Sequence, residues 1–306
     1  MKILLVVDGS PYSLMSVRMM NVLQLPSHTD VVVMTVVPEY TFIGGITLSM
    51  LRGEAVTPGG ARKVQEKKAR ALLKEYADKL SSDGINIETA VVWGEPDEQI
   101  IKKAAEMQTG LVVMGAKGVS DSRREVLGSV AQRVMRYAGC SVLLVREAPT
   151  AIRQAFLAVD GSTYSDEAAR FILDLPMPEQ SQIMVLTALQ SHSDTLANMP
   201  ALDLKADRGV LEELRKAEEK TARSIIRKTM KQFEERGYET SSWLLRGEPA
   251  DEILTAAGEL HPELIVLGAK GLSDVGSFLM GSVVQDVARF SRYSVLIVRM
   301  AKQVAG

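Results

Sequence analysis

Hydrophobic residues along the chain follow two alternating rhythms. Short continuous apolar runs, such as Ile3-Leu-Leu-Val-Val7, have no polar face. They predict strands buried on both sides, as a parallel sheet requires. Further runs over 31–37, 85–92, 111–114 and 141–146 predict four more strands. Between the runs the spacing becomes helical. Met15, Met19, Val22 and Leu23 share one face after residue 10, and Ala69, Leu72, Leu73, Tyr76 and Leu80 share one face of a long helix over 62–80. A third helix is predicted over 96–107, and the charged positions of the long helix read as a solvated face. Residues 39–60, broken by Gly44, Gly45 and Pro58, read as a loop.

After residues 147–150 the same programme restarts. The apolar run 156–159 leads into Asp160-Gly161-Ser162, as 3–7 leads into Asp8-Gly9-Ser10. Residues 182–189 answer the second strand, 209–236 the long helix and 294–299 the fifth strand, while Gly247-Glu-Pro249 repeats Gly94-Glu-Pro96. Between 115–146 and 268–299 roughly half the positions are identical. A period this long marks two complete domains, 1–147 and 148–306, rather than a solenoid. Strands alternating with helices give an α/β class: in each half a parallel sheet, with helices on both faces and right-handed crossovers.

Within this frame one constellation is duplicated. Gly115-Ala-Lys-Gly118 is followed, after nine intervening residues, by Gly128-Ser129, and Gly268-Ala-Lys-Gly271 is followed at the same spacing by Gly281-Ser282. Each lies between a strand and a helix start. Glycines let the backbone come close and adopt positive φ, and a helix start presents N–H groups and a positive dipole end. A polyphosphate suits such a place. Ligands of open α/β sheets sit beyond the carboxyl ends of the strands, where strand order reverses. If strands one and four are neighbours, Asp8 and the glycine loop border one crevice.

Composition narrows the partners. The 306 residues carry 36 basic and 38 acidic side chains, which gives no reason to expect nucleic acid or an anionic membrane. No apolar run is long enough to span a bilayer, and Asp8 cuts the first run too short for a signal peptide, so a cytoplasmic location is expected. The one cysteine, Cys140, excludes an intrachain disulfide framework and reads as a small buried hydrophobe. His28, His192 and His261 lack ligand spacing and read as surface or loop residues.

Asp8 and Asp160 upstream of these paired glycine motifs resemble the universal stress protein family, in its nucleotide-binding branch, over nearly the whole chain as two tandem copies. The resemblance implies two five-stranded parallel sheets of order 3-2-1-4-5, Rossmann-like and similar to adenine nucleotide alpha hydrolases. It also implies an ATP site in each half and a role in stress response. Asp8 and Asp160 would contact the adenosine end, and Val36 and Ala188 would lie against adenine through their backbone. Gly115 and Gly268 would sit near the ribose. Gly118, Gly128 and Ser129, with Gly271, Gly281 and Ser282, would hold the phosphates. ADP or AMP could replace ATP, and Mg or Mn would enter through the phosphates. The halves are expected to pair as a pseudo-dimer through their fifth strands, with a homodimer as a further level.

Each of these residues also has a structural reading. Asp8 and Asp160 could cap the following helices, the glycines could be turn residues, and Lys117 and Lys270 could be solvated loop lysines or phosphate ligands. A second hydroxyl common two residues after the motif serine is replaced by Ala131 and Val284. Arg123 and Arg124 in the first loop could pair with a triphosphate, favouring tighter binding there. Walker, GxGxxG, HExxH and nucleophile-elbow motifs are absent. At most a weak ATPase is expected, since no dedicated base presents itself. The competing function is an interaction module that engages a protein or small apolar ligand through loops 39–60 and 191–208.

Overall fold

The computed structural model describes residues 1–38, 58–80, 84–119, 127–175, 177–178, 180–189, 208–272 and 280–300. Of the loops 39–60 and 191–208 proposed for partner binding, residues 39–57 and 191–207 lie outside the described residues, as do Arg123, Arg124 and His192, while 58–60 and 208 begin helices. Two compact units are present: Met1–Asn21 with Leu25–Arg146, and Val22–Gln24 with Glu147–Gly306.

In the first unit the order is β1 (Lys2–Val6), α1 (Pro11–Val22), β2 (Thr29–Val37), α2 (Pro58–Ala77), β3 (Ile85–Trp93), α3 (Pro96–Glu106), β4 (Leu111–Gly115), α4 (Ser129–Tyr137) and β5 (Ser141–Val145). The strands run β3-β2-β1-β4-β5 with every pairing parallel, so the order is 3-2-1-4-5. The second unit repeats this with β6 (Gln154–Ala158), α5 (Thr163–Asp174), β7 (Gln182–Leu189), α6 (Arg208–Glu234), β8 (Glu239–Arg246), α7 (Pro249–Leu260), β9 (Leu264–Gly268), α8 (Ser282–Phe290) and β10 (Ser294–Val298). Its strands run β8-β7-β6-β9-β10, again all parallel. One expectation is corrected: the ten strands count as a single sheet, not two separate five-stranded ones.

The apolar runs are buried as their composition requires. Ile3, Leu4 and Leu5 of β1 and Leu111, Val112 and Val113 of β4 are fully buried, as are Leu264, Ile265 and Val266 of β9. Polar residues mark the outer strands β3 and β8, where most positions stay half-buried or exposed. Helix α1 departs from its predicted face. Ser13, Ser16, Val17, Met19 and Met20 are buried, while Met15 and Val22 are only half-buried. The small Ser16 satisfies its hydroxyl locally by donating to the Tyr12 carbonyl at 3.0 Å. Cys140 is half-buried rather than buried. Among the described residues no helix is long and apolar enough to cross a membrane.

Candidate functional site

Strand lengths open the site. β1 stays paired with β2 as far as Val6 opposite Met34, and the Val7 N–H donates to the Met34 carbonyl at 2.9 Å. Beyond that point Thr35, Val36 and Val37 pair with β3 alone, opposite Val91, Val92 and Trp93. The β1 side of the Val36 backbone therefore lies past the end of the β1 ladder. The second unit copies this. Val159 donates to the Leu186 carbonyl at 2.9 Å, and Thr187, Ala188 and Leu189 continue with β8 alone.

The Asp-Gly-Ser turn sits at the end of β1 and of β6. Gly9 and Gly161 hold φ of +81° and +82°, a conformation that costs residues with a side chain. Asp8 Oδ1 accepts the Ser10 N–H at 2.9 Å and the Ser13 hydroxyl at 2.6 Å. Asp160 Oδ1 accepts the Ser162 N–H at 2.9 Å, while the Ser165 hydroxyl turns to the Ser162 carbonyl at 2.9 Å. The helix cap itself falls to the serine. Ser162 is the N-cap of α5 and accepts the Ser165 N–H at 3.2 Å, and Ser10 accepts the Ser13 N–H at the same distance.

The glycine loop leaves the end of β4 and returns at the start of α4. Its base is closed by two backbone bonds: Ala116 donates to the Val145 carbonyl at 2.8 Å and accepts from the Gly128 N–H at 2.8 Å. Just past Gly118, the Val119 N–H donates to Asp8 Oδ2 at 2.9 Å. The second loop is pinned at the same three points. Ala269 donates to the Val298 carbonyl at 2.8 Å, Gly281 donates to the Ala269 carbonyl at 3.1 Å, and Leu272 donates to Asp160 Oδ2 at 3.0 Å. Gly128 and Gly281 are the N-cap residues of α4 and α8, so Ser129 and Ser282 open those helices. The first N–H groups of a helix lack intrahelical partners, and here they lie beside the pinned loop.

The loop glycines serve close approach rather than positive φ. Gly128 and Gly281 have φ of −70° and −62°. At Gly115 a Cβ would meet the Tyr12 Cβ at 2.6 Å, and at Gly268 it would meet the Tyr164 backbone carbon and oxygen at 2.6 Å. These two glycines thus let the ends of β4 and β9 press against the first turn of α1 and α5. A Cβ at Gly271 would come 2.8 Å from Asp160 Oδ2. Lys117 and Lys270 are half-buried, and Lys270 places its Nζ 5.7 Å from the Tyr164 ring centre, within cation–π range.

The structure thus brings Asp8, Gly118, Gly128 and Ser129 together beyond the carboxyl ends of the strands of the first unit, and their counterparts beyond the carboxyl ends of the strands of the second. Sequence reading missed the backbone N–H of Val119 and Leu272, the packing partners Tyr12 and Tyr164, and the Ser13 hydroxyl on Asp8. Only their recurrence in both halves could have flagged them. Nearby, burial raises the Tyr76 phenol above its ordinary value, with the charges of Glu75 and Asp8 adding to the effect. Its counterpart in the second unit is the buried Thr229. Burial also lowers the Arg146 guanidinium to about 10, against a smaller opposing effect of Tyr12. Among the described residues there is no cluster of three or more His, Cys, Asp or Glu side chains suited to a metal ion.

Comparison with known proteins gives consistent matches. The family model described as the universal stress protein family matches residues 1–146 and again 152–299. Universal stress protein YxiE of Bacillus subtilis is 29% identical over 143 residues, covering 47% of this chain and 96% of its own length. A universal stress protein of Mycobacterium tuberculosis is 26% identical over 198 residues, 62% of this chain and 61% of that protein. Among solved structures, a universal stress protein from Archaeoglobus fulgidus aligns over 97% of this chain and 98% of its own, with TM-score 0.63 and 19% identity. A putative universal stress protein from Pseudomonas aeruginosa aligns over 97% and 92%, with TM-score 0.53 and 16% identity. At these identities the structural likeness speaks to the fold.

Proposed function

The chain belongs to the universal stress protein family, matched over both halves, and from that membership we propose that each unit binds an adenine nucleotide and couples it to a stress response. The phosphates lie along the pinned glycine loop and the start of α4 or α8. The adenine edge meets the Val36 or Ala188 backbone, where β2 outruns β1 and β7 outruns β6. Mg or Mn enters with the phosphates, since clustered side-chain ligands for a metal are not found among the described residues. Signalling proceeds through nucleotide-dependent conformation or partner binding.

The observation that carries this reading is the threefold anchoring of each loop beside a helix N-terminus, reproduced with distances within 0.3 Å in two units. A turn that only reverses the chain needs no such anchoring. Fixed backbone donors next to a helix dipole are preorganised for a phosphate. The test has two parts. Protein purified without added nucleotide is denatured, and the supernatant is chromatographed for ATP, ADP and AMP. Stripped protein is then titrated calorimetrically with MgATP. Saturable binding that Gly118→Val and Gly271→Val weaken is the expected result. Absence of copurified nucleotide together with no heat at millimolar MgATP sinks the proposal.

A further inference from the structure

We propose that the long helix of each unit, α2 and α6, carries a docking face for an acidic helical segment of a partner protein. The internal repeat supplies the observation. Between residues 62 and 77, nine positions are exposed in α2 and also exposed at their counterparts in α6, each 153 places further on (215 minus 62). Arg62, Lys63, Lys67 and Arg70 recur unchanged as Arg215, Lys216, Lys220 and Arg223, and Lys74 recurs as Arg227 with its charge kept. The remaining four all change: Val64 to Ala217, Lys68 to Thr221, Ala71 to Ser224, and Glu75 to Lys228 with the sign reversed. Even the core beneath has drifted, since buried Leu73 and Tyr76 answer to Ile226 and Thr229. Surface positions that meet only water tolerate substitution with little effect on stability. The four changed positions behave that way, and the five cations do not.

The two sets also separate in space. At about 100° per residue, the five retained cations fall in one sector of the helix and the four changed positions in the next. Lys63, Lys67, Arg70 and Lys74 follow the i, i+4, i+7, i+11 pattern of a single stripe roughly 16 Å long. Lys216, Lys220, Arg223 and Arg227 repeat it. Helix stabilisation accounts for part of each row only. Glu66 holds Arg70 and Glu219 holds Arg223, both by i+4 bonds at 2.7 Å, whereas Lys67, Lys74, Lys220 and Arg227 make no ion pair among the described residues. On α6 the row borders two open clefts of about 430 and 480 Å³, where the long side chains stand apart.

Charge and pitch choose the occupant. The chain as a whole carries a net charge of −2, so the positive field is local to the rows and suits a short acidic segment. One turn of α-helix rises about 5.4 Å, and a second helix laid alongside repeats its carboxylates at that same interval. A phosphate strand fits less well, because it is anionic throughout and the retained Glu66 and Glu219 oppose it. Base stacking has no repeated platform either: Trp93, with Arg62 at 4.7 Å from its ring centre, is replaced by Arg246 in the second unit. A bilayer is disfavoured because the apolar side of each helix is already packed on its sheet. The assignment does not depend on the nucleotide reading.

The probe is a fluorescein-labelled, alanine-based helical peptide with glutamates at i, i+4, i+7 and i+11, titrated into the full chain at about 0.05 M salt and followed by anisotropy. A peptide of equal composition with its glutamates scattered round the helix, an oligothymidylate of equal charge and phosphatidylserine vesicles are run beside it. Saturable binding of two patterned peptides per chain, several-fold tighter than the scattered one, is the expected result. Lys220→Glu with Arg227→Glu should leave one peptide per chain. In that background Lys67→Glu and the adjacent Lys68→Glu alter the net charge equally. The first should weaken the remaining site on the order of tenfold and the second by about threefold at most, since only the first replaces an attraction by a repulsion within the row. Thermal melting of each variant checks that the fold is intact. Equal losses for Lys67→Glu and Lys68→Glu overturn the proposal, as do equal binding of the two peptides and binding of neither. Tighter binding of the oligothymidylate or the vesicles than of the patterned peptide, lost in Lys67→Glu, overturns the acidic helix in favour of that polyanion.

Discussion

At the residue scale, glycine stands in this chain in three different settings, and each makes a different prediction. Gly115 and Gly268 exist for close packing, so Gly268→Ala drives a methyl into the Tyr164 backbone at 2.6 Å. We expect it to destabilise the second unit by about 1–3 kcal/mol in denaturant unfolding, the usual cost of overpacking. Gly237 has nothing within 4 Å of a new Cβ but holds φ of +85°, so Gly237→Ala should cost about 1–2 kcal/mol from the left-handed backbone alone. Gly258 lies inside α7 with open space around it and no special φ. Gly258→Ala should therefore stabilise, by about 0.5–1 kcal/mol, as helix propensity predicts. A sequence shows three identical letters here. The glycine spacing of the two loops was legible because it repeats, but its cause was not: Tyr12 and Tyr164 lie about a hundred positions away in the chain, and nothing local announces that they touch.

At the element scale, the two units differ in how their helices are tied down. Asp97 opens α3 and is nearly buried, with Arg133 of α4 at 2.7 Å from its carboxylate. The second unit carries Ala250 and Asp286 at these places, so it has no counterpart of this pair. Arg133→Ala leaves Asp97 buried without its cation and should destabilise the first unit by about 1–3 kcal/mol. Adding Asp97→Ala should recover part of the loss, because the stranded charge goes with it. A denaturant series on the two single variants and the double variant measures the coupling. In the second unit Glu219 of α6 accepts from Arg223 on its own helix and from Arg246 at the end of β8, both at 2.7 Å. The hydrogen bond from Arg223 is the leading cause that lowers the Glu219 carboxyl below its ordinary value. A lowered carboxyl contributes stability above its ordinary range and loses it as pH falls through the folded value. The small advantage of wild type over Glu219→Gln should accordingly be present at pH 7 and vanish on acidification below the carboxylate range, read by thermal melting at each pH.

At the scale of the whole molecule, duplication is the governing fact. Each unit holds an Asp-Gly-Ser turn with left-handed glycine, a pinned loop and a helix start in the same order and geometry. The proposal of one nucleotide per unit then fixes a stoichiometry. Stripped wild-type chain should take up two adenine nucleotides, and Gly118→Val or Gly271→Val alone should leave one, counted by calorimetry or by bound nucleotide after gel filtration. Family membership, matched twice along the chain, is what makes two sites the expectation rather than one.

The sequence by itself determined the α/β class, the internal repeat, the strand and helix positions to within a few residues and the family. These follow from local rhythm and from spacing, which the chain carries in one dimension. Only the tertiary structure decided that the ten strands count as one sheet, that Gly115 and Gly268 answer to tyrosines, and that Asp8 and Asp160 reach Val119 and Leu272 more than a hundred residues away. The physical reason is that close approach and hydrogen bonding between distant segments depend on how strands are ordered side by side, and no local pattern of side chains encodes that order.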